Sequence, residues 1–209
     1  MVDFRNENSH GHIITIEDPV EFVHPHRNCI VTQREVGVDT DNWHAALKNT
    51  LRQAPDVILI GEIRDRETME AAINLSGTGH LVLSTLHANN SAETLDRIIN
   101  MFPQDQHKQI FLDLSQYLRA VCSQRLVVTK EGKRIAAIEV MLNTPYISEL
   151  VKKGDVSAIK EAIVASSERG VQSFDVALLN LYKQNRIELE EALTNADSRS
   201  NLEAKINFG

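Results

Sequence analysis

Residues 56–68 read DVILIGEIRDRET, and their order of residue types decides the fold class. Val57 to Ile60 is an apolar run with no polar alternation, which suits a strand buried on both faces of a parallel sheet. It stops abruptly at Gly61-Glu62. Two further runs have the same shape. Ile13 to Ile16 is followed by Glu17-Asp18-Pro19, and Leu81 to Leu83 by Ser84-Thr85-Leu86-His87. Helical patterns separate the runs. Residues 41–53 carry apolar side chains at 43, 46, 47 and 51, with Thr40 or Asp41 as N-cap and Pro55 beyond the end. Residues 66–76 are helix-like and stop at Gly77 and Gly79. Residues 91–101 follow, with Ser91 as cap. Strand–helix–strand–helix–strand is the pattern of an α/β domain with a parallel sheet. Residues 28–36 (NCIVTQREV) read as an extended excursion beside it.

Beyond Pro103 the pattern changes. Residues 104–124 place Ile110, Phe111, Leu114, Leu118, Val121 and Cys122 on one helical face. Residues 124–142 predict a β-hairpin turning at Glu131-Gly132. From Pro145 onward the reading is helical, over 145–152, 155–168, 173–184 and 188–196. Gly154 and Gly170 punctuate it, and the last dozen residues are expected to be loosely held. Trp43, the only tryptophan, is expected in the core. Cys29 is expected as a packing residue in an extended segment, and Cys122 as one on an apolar helix face.

The composition excludes several classes. The 209 residues hold 22 Lys+Arg against 29 Asp+Glu, a net charge of −7. That balance argues against a general nucleic-acid or anionic-membrane binder. No apolar run approaches the roughly 20 residues of a membrane span, and the polar start MVDFRNENSHGH has no apolar signal region. Two cysteines make neither a disulfide framework nor a ligand set, so a reduced, cytosolic chain is expected.

Parallel strands joined by right-handed crossovers end on one edge of the sheet, where open α/β folds bind ligands. Topology alone therefore gathers Glu17, Asp18, Glu62 and His87. Carboxylates with a histidine suit a hard cation such as Mg²⁺ and a phosphate oxygen. A remaining glutamate can orient or deprotonate an attacking water. The alternative is a set of solvated strand ends, against which stands the like ending of all three strands. Arg64 and Asp65 are read as a local ion pair, and Arg34 and Arg97 as solvated surface. His10/His12 and His24/His26 lack zinc-site spacing and are expected to be exposed loop histidines.

These residues also match a family. DVILIGEIRDRET (56–68) resembles the Walker B segment of the type IV pilus and type II secretion ATPases. HIITIEDPVEFVH (12–24) resembles their Asp box and TGHLVLSTLHANN (78–90) their His box. Order and spacing are most similar to the pilus-retraction ATPases, the PilT/PilU family. The resemblance implies the C-terminal part of a RecA-like P-loop ATPase motor domain over residues 1–143, then a helical C-terminal subdomain over 144–209. It implies ATP and Mg²⁺, with Glu17 and Glu62 sharing metal coordination and water activation. It places Asp18, Glu62, His80 and His87 against the nucleotide, and gives His87 the sensing of the terminal phosphate. Which glutamate does which stays open. The implied function is ATP-driven pilus retraction and twitching motility. The implied partners are retraction ATPase subunits in a homo- or hetero-hexamer and the pilus inner-membrane platform protein. The implied location is the cytoplasm, peripheral to the inner membrane without insertion into it, and no nucleic acid takes part.

Two departures matter. The sequence contains no G-x-x-x-x-G-K-[ST], and Glu131-Gly132-Lys133-Arg134 reads as a hairpin turn rather than a phosphate cradle. Where the main retraction motors carry an AIRAGK-like stretch, this chain reads LVKKGDVSAIKEAI (150–163), which resembles the accessory PilU branch. Met1 to Asn6 resembles the end of the helix after the P-loop. The chain is therefore expected to begin inside a motor domain, to expose a strand edge, and to hydrolyse ATP negligibly alone. The alternative is a non-catalytic accessory or interaction subunit of such a hexamer. A hydrolase using Glu17 and Glu62 as an acid/base pair finds no accompanying nucleophile motif.

Overall fold

The computed structural model describes residues 1–208. The chain forms two compact units, Met1–His87 and Ala88–Gly209. The first unit runs α1 (Val2–Asn8), β1 (Gly11–Glu17), β2 (Cys29–Glu35), α2 (Trp43–Thr50), β3 (Val57–Ile60), α3 (Arg66–Gly77) and β4 (Leu81–Ser84). The four strands are parallel in the order β2-β1-β3-β4. The three apolar runs thus form β1, β3 and β4, and the extended excursion forms β2. Ile13, Ile14 and Ile16 on β1 and Val57, Ile58 and Ile60 on β3 are buried. Burial on both faces explains why these strands carry no polar alternation. On one face Ile13, Val31 and Val57 pack with Val2 of α1 and with Cys29. Cys29 is thus the packing residue expected. β4 is an edge strand, and its Leu81 is exposed.

The connection from β1 to β2 is held by Asn6 of α1, which is fully buried. Its Nδ2 donates to the Pro25 carbonyl at 2.7 Å, and its Oδ1 accepts from the backbone N–H of Arg27 and Cys29 at 3.2 and 3.3 Å. A buried amide with its polar atoms paired is stable where an unpaired one is costly. The helices begin where short polar side chains cap them. Asn42, Asp65 and Asn90 accept from the backbone N–H of Ala45, Thr68 and Glu93. The caps of the first and third helices of this set therefore fall on Asn42 and Asn90, one residue away from the expected Asp41 and Ser91.

The second unit runs α4 (Ser91–Asn100), α5 (His107–Tyr117), β5 (Ala120–Val128), β6 (Arg134–Leu142), α6 (Pro145–Lys153), α7 (Val156–Ala165), α8 (Phe174–Lys183), α9 (Leu189–Thr194) and α10 (Arg199–Phe208). β5 and β6 form an antiparallel hairpin registered from Ala120–Leu142 to Val128–Arg134. Its core joins Val127 and Ala137 to Phe174, Ala177, Leu178, Ile187 and Leu202.

Three expectations change here. The helix predicted over 104–124 ends at Tyr117, and Val121 and Cys122 lie on β5. Residues 120–124 fit helical spacing, but their cross-strand partners on β6, Leu142 to Ile138, claim them for the hairpin. Cys122 is exposed on that strand, not packed on a helix face. Of the last dozen residues, those described are not loose: α10 (Arg199–Phe208) is anchored by Leu202, which is fully buried. The division between compact units falls at His87–Ala88, upstream of the 143/144 boundary read from the sequence. The hairpin shares its core with α8, α9 and α10, so packing keeps residues 120–142 with the helices that follow.

Candidate active site

β1, β3 and β4 deliver their C-terminal ends to one edge of the first unit, and the turns beyond them are tied together. The Ile63 N–H donates to the Thr85 carbonyl at 3.0 Å, and the Thr85 hydroxyl donates to the Gly61 carbonyl at 2.5 Å. The Gly61 N–H donates to the Ile16 carbonyl at 2.8 Å. A Cβ at Gly61 would meet Glu17 Cα and the Ile16 carbonyl at 3.3 Å. Glycine there lets the end of β3 close onto the end of β1. Glu17 and Glu62 consequently stand on neighbouring strand ends.

The two carboxylates are held differently. Glu17 is buried, and its Oε1 accepts from the Thr15 hydroxyl at 2.5 Å and from Gln33 Nε2 at 3.1 Å. Both donors are neutral and sit on the sheet itself. Glu62 has a guanidinium and an imidazole as partners. Its Oε1 pairs with the Arg64 guanidinium, and its Oε2 lies 3.4 Å from His87 Nε2. The Arg64 hydrogen bond, with the positive charge of Arg64 and the interaction with His87, holds the Glu62 carboxyl below the usual range, against desolvation, which opposes it. Glu62 raises Arg64 in return, and the charge of Asp18 adds to that rise. Asp18 itself is exposed at the same edge.

His87, 83 % exposed at the side chain, therefore joins Glu62 as topology requires. His80 does not. It precedes β4, with Nδ1 within hydrogen-bond distance of the Thr78 hydroxyl and the Leu75 carbonyl at 3.1 and 3.2 Å. Four strand residues, about 13 Å, separate it from the edge that carries His87.

Arg64 pairs with Glu62 rather than with Asp65, because Asp65 caps α3. The sequence signal was present: two residues across a turn bring i and i+2 to the same side. Thr15 and Gln33 gave no such signal, since only the registered pairing of β1 with β2 brings them to Glu17. Arg34 is half-buried and donates to Gln53 Oε1 at 3.3 Å. Two of the loop histidines are structural. His12 lies on β1 with its ring within hydrogen-bond distance of Thr32 and the Gln53 carbonyl, and His24 pairs with Asp3 at 2.8 Å. Away from this edge, a cleft of about 610 Å³ lies between α2 and α3, walled by Trp43, Leu47, Leu51, Ala71 and Leu75. Trp43 is thus half-buried at a cleft rather than in the core.

The donor chemistry fits Mg²⁺. Glu17 and Glu62 offer hard oxygens, while among the described residues no group of three or more His, Cys, Asp or Glu side chains is arranged to hold a metal ion by itself. Mg²⁺ characteristically takes one or two carboxylates and completes its shell with water and phosphate. Among the described residues no helix is long and apolar enough to cross a membrane.

Comparison with known proteins fits this geometry. The Type II/IV secretion system protein family matches residues 1–169. The type IV pilus ATPase PilU of Pseudomonas aeruginosa is 55 % identical over 210 residues, covering 100 % of this chain and 55 % of that protein. The retraction ATPase PilT of the same organism is 41 % identical over 92 % of this chain and 56 % of its own length. The crystal structure of the pilus retraction motor PilT with bound ADP superposes with a TM-score of 0.88 at 39 % identity, over 97 % of this chain and 57 % of that one. The chain spans about half the length of these relatives. The α/β parallel-sheet architecture is shared with that motor, and the chain belongs to the Type II/IV secretion system protein family.

Proposed function

We propose that this chain is the C-terminal part of the motor domain of a hexameric ATPase that powers type IV pilus retraction. The carrying observation is the edge itself: Glu17, Glu62 and His87 arrive from three parallel strands, and Glu62 pairs with Arg64 and lies 3.4 Å from His87. Similarity to pilus ATPases over the whole chain supports the same reading. In it, the domain over residues 1–143 is the nucleotide-handling core and 144–209 the helical subdomain. Retraction ATPase subunits and an inner-membrane platform protein are the partners. The chain works in the cytoplasm, held peripherally at the inner membrane.

Glu17 and Glu62 would hold Mg²⁺, which when bound neutralises charge on the transferring phosphoryl group. The hydrogen bonds favour a division of labour. Glu17 is fixed in the sheet by the Thr15 hydroxyl and the Gln33 amide, which suits a carboxylate that holds a metal in one place. Glu62 is at the mouth of the edge, where its Oε atoms can accept a proton from water once a cation moves away. In this reading His87 would donate to a terminal phosphate oxygen. Asp18 stands beside them. His80 serves the nucleotide only indirectly, through the start of β4.

These 209 residues contain no glycine-rich phosphate cradle, so ATP binds the chain alone weakly, in the millimolar range by the loss of several charge-assisted hydrogen bonds of ~1.5–3 kcal/mol each. The test is a Mg²⁺–ATP titration of the chain followed by amide resonances. Shifts concentrated at Glu17, Asp18, Glu62 and His87, and lost in E17Q, are expected. Shifts confined to the α2/α3 cleft would place the nucleotide elsewhere. Robust turnover by the pure chain, abolished in E62Q, would contradict the weak-binding expectation.

A further inference from the structure

We propose that Arg64 is a phosphate-binding residue held in reserve by Glu62, so that arrival of a phosphate and release of the Glu62 carboxylate are one event. The proposal rests on the reading of this edge as a phosphate site. Three observations carry it.

First, the Glu62 carboxylate has both oxygens engaged, one by Arg64 and the other by His87 at 3.4 Å. A carboxylate so engaged is a weaker ligand for a metal and a weaker acceptor of a proton than the same carboxylate with Arg64 drawn away.

Second, Arg64 is the cation able to leave toward a ligand. Its side chain is 69 % exposed while that of Glu62 is 17 % exposed, so the pair is open on the arginine side. Guanidinium binds phosphate with the same forked geometry it uses for carboxylate. A polyphosphate carries more charge than one carboxylate, so it competes effectively for that fork.

Third, the backbone limits where Arg64 can go. Ile63 is buried and its N–H is bonded to Thr85, while Asp65 caps α3 through the Thr68 N–H at 2.8 Å. Arg64 is thus pinned on both sides by one residue. Its guanidinium sweeps a small region over the strand ends and exchanges partners only within this edge. Asp18 shares the region and strengthens the local preference for keeping Arg64 there. A negative ligand that draws Arg64 off Glu62 simultaneously gains a cation and frees a carboxylate beside itself.

The test is a double-mutant cycle on the whole 209-residue chain with inorganic tripolyphosphate alone as probe, its affinity followed by ³¹P line broadening. Four proteins are compared: the parent, R64Q, E62Q and the double variant. Removing Glu62 frees Arg64, so E62Q is expected to tighten tripolyphosphate about three- to tenfold, and R64Q to weaken it by about threefold. Simple removal of a repelling negative charge would also tighten binding, but to the same degree with either residue at position 64. The proposal therefore requires that the E62Q gain shrink to less than about twofold when position 64 is Gln. An equal gain in both backgrounds overturns the role of Arg64 and leaves the phosphate edge standing. Failure of all four proteins to bind tripolyphosphate overturns the phosphate edge and Arg64 together.

Discussion

Glu139 is the side chain whose removal tests most directly how the second unit is held. It sits on β6 with 2 % of its surface exposed, yet it belongs to the most water-loving residue types. Its Oε1 accepts from the Ser91 N–H at 2.8 Å and from the Ser91 hydroxyl at 2.7 Å. Ser91 is the first residue of α4 and is itself fully buried. Its N–H is one of the donors a helix start leaves without an intrahelical partner, and the helix dipole favours an anion there. One carboxylate oxygen thus satisfies two buried donors and fastens α4 to the hairpin.

Glu139→Ala strands both donors. Each lost bond to a charged group is worth ~1.5–3 kcal/mol, so the variant is expected to lose about 3–5 kcal/mol of the stability of α4. Glu139→Gln keeps an acceptor oxygen of the same reach and is expected to lose about 1–2 kcal/mol. In a Ser91→Ala background one donor is already gone, so Glu139→Ala is expected to cost about 1–2 kcal/mol less than in the parent. A chain of two compact units need not unfold in one step. The assay is therefore native-state amide exchange, read at Leu95, Ile98 and Ile99 of α4. A loss below about 1 kcal/mol in Glu139→Ala, or equal losses for Ala and Gln, would refute the assignment of these two bonds as the anchor.

Three further outcomes follow from other parts of the molecule. Leu202→Ala empties a fully buried site in the core shared by α8, α9 and the hairpin, and is expected to cost about 2–4 kcal/mol in urea unfolding of the second unit. A negligible loss would mean that α10 is not docked in solution. Gly11→Ala meets a backbone at φ +142° and sets its Cβ 2.2 Å from Asp56 Oδ2, the acceptor for the His12 N–H at 2.7 Å. It is expected to destabilise the first unit by about 1–3 kcal/mol, read as faster amide exchange at His12 and Asp56. Glu62 is expected to titrate below the ordinary 4.5 of a glutamate and to move up toward it in R64Q, read from its side-chain carboxyl carbon by NMR. The sign is that of a carboxyl depressed in the folded state: its pairing favours the fold at pH above that ordinary value, and the contribution fades as pH falls through the lowered one.

The sheet was legible in the sequence because its two middle strands, β1 and β3, are buried on both faces. Burial of that kind writes an unbroken apolar run, and with a third apolar run at the edge strand β4 and helical patterns between them, little room is left for another architecture. The convergence of Glu17, Glu62 and His87 was legible for the same reason, since parallel strands end together. Legibility failed where a choice depended on contacts distant in sequence. Residues 118–124 satisfy helical spacing as well as they satisfy a strand, and only the partner strand on 134–142 decides between them. Leu202 looks like one leucine in a polar tail until the core of α8 and α9 gives it a place. Thr15 and Gln33 became site residues only through the register of β1 against β2. His80 shows the opposite effect. A motif treats it and His87 as one box, but a strand lies between them and sends them to opposite ends.

The contrast between Glu17 and Glu62 gives the edge its chemical direction. A carboxylate fixed by neutral donors keeps its place when an anion arrives, because neither the Thr15 hydroxyl nor the Gln33 amide is strongly drawn to it. A carboxylate paired with Arg64 is different, since an anion that enters competes for that guanidinium. The first behaviour suits a permanent ligand and the second a group whose availability depends on occupancy. Both follow from position. Glu17 ends a strand in the middle of the sheet, where neighbours on β1 and β2 supply the donors. Glu62 lies two residues past the end of β3, in a turn where its partners are Arg64 of the same turn and His87 beyond β4. Strand end and turn thus give the same edge two carboxylates with different partners, one held by neutral donors and one by a guanidinium.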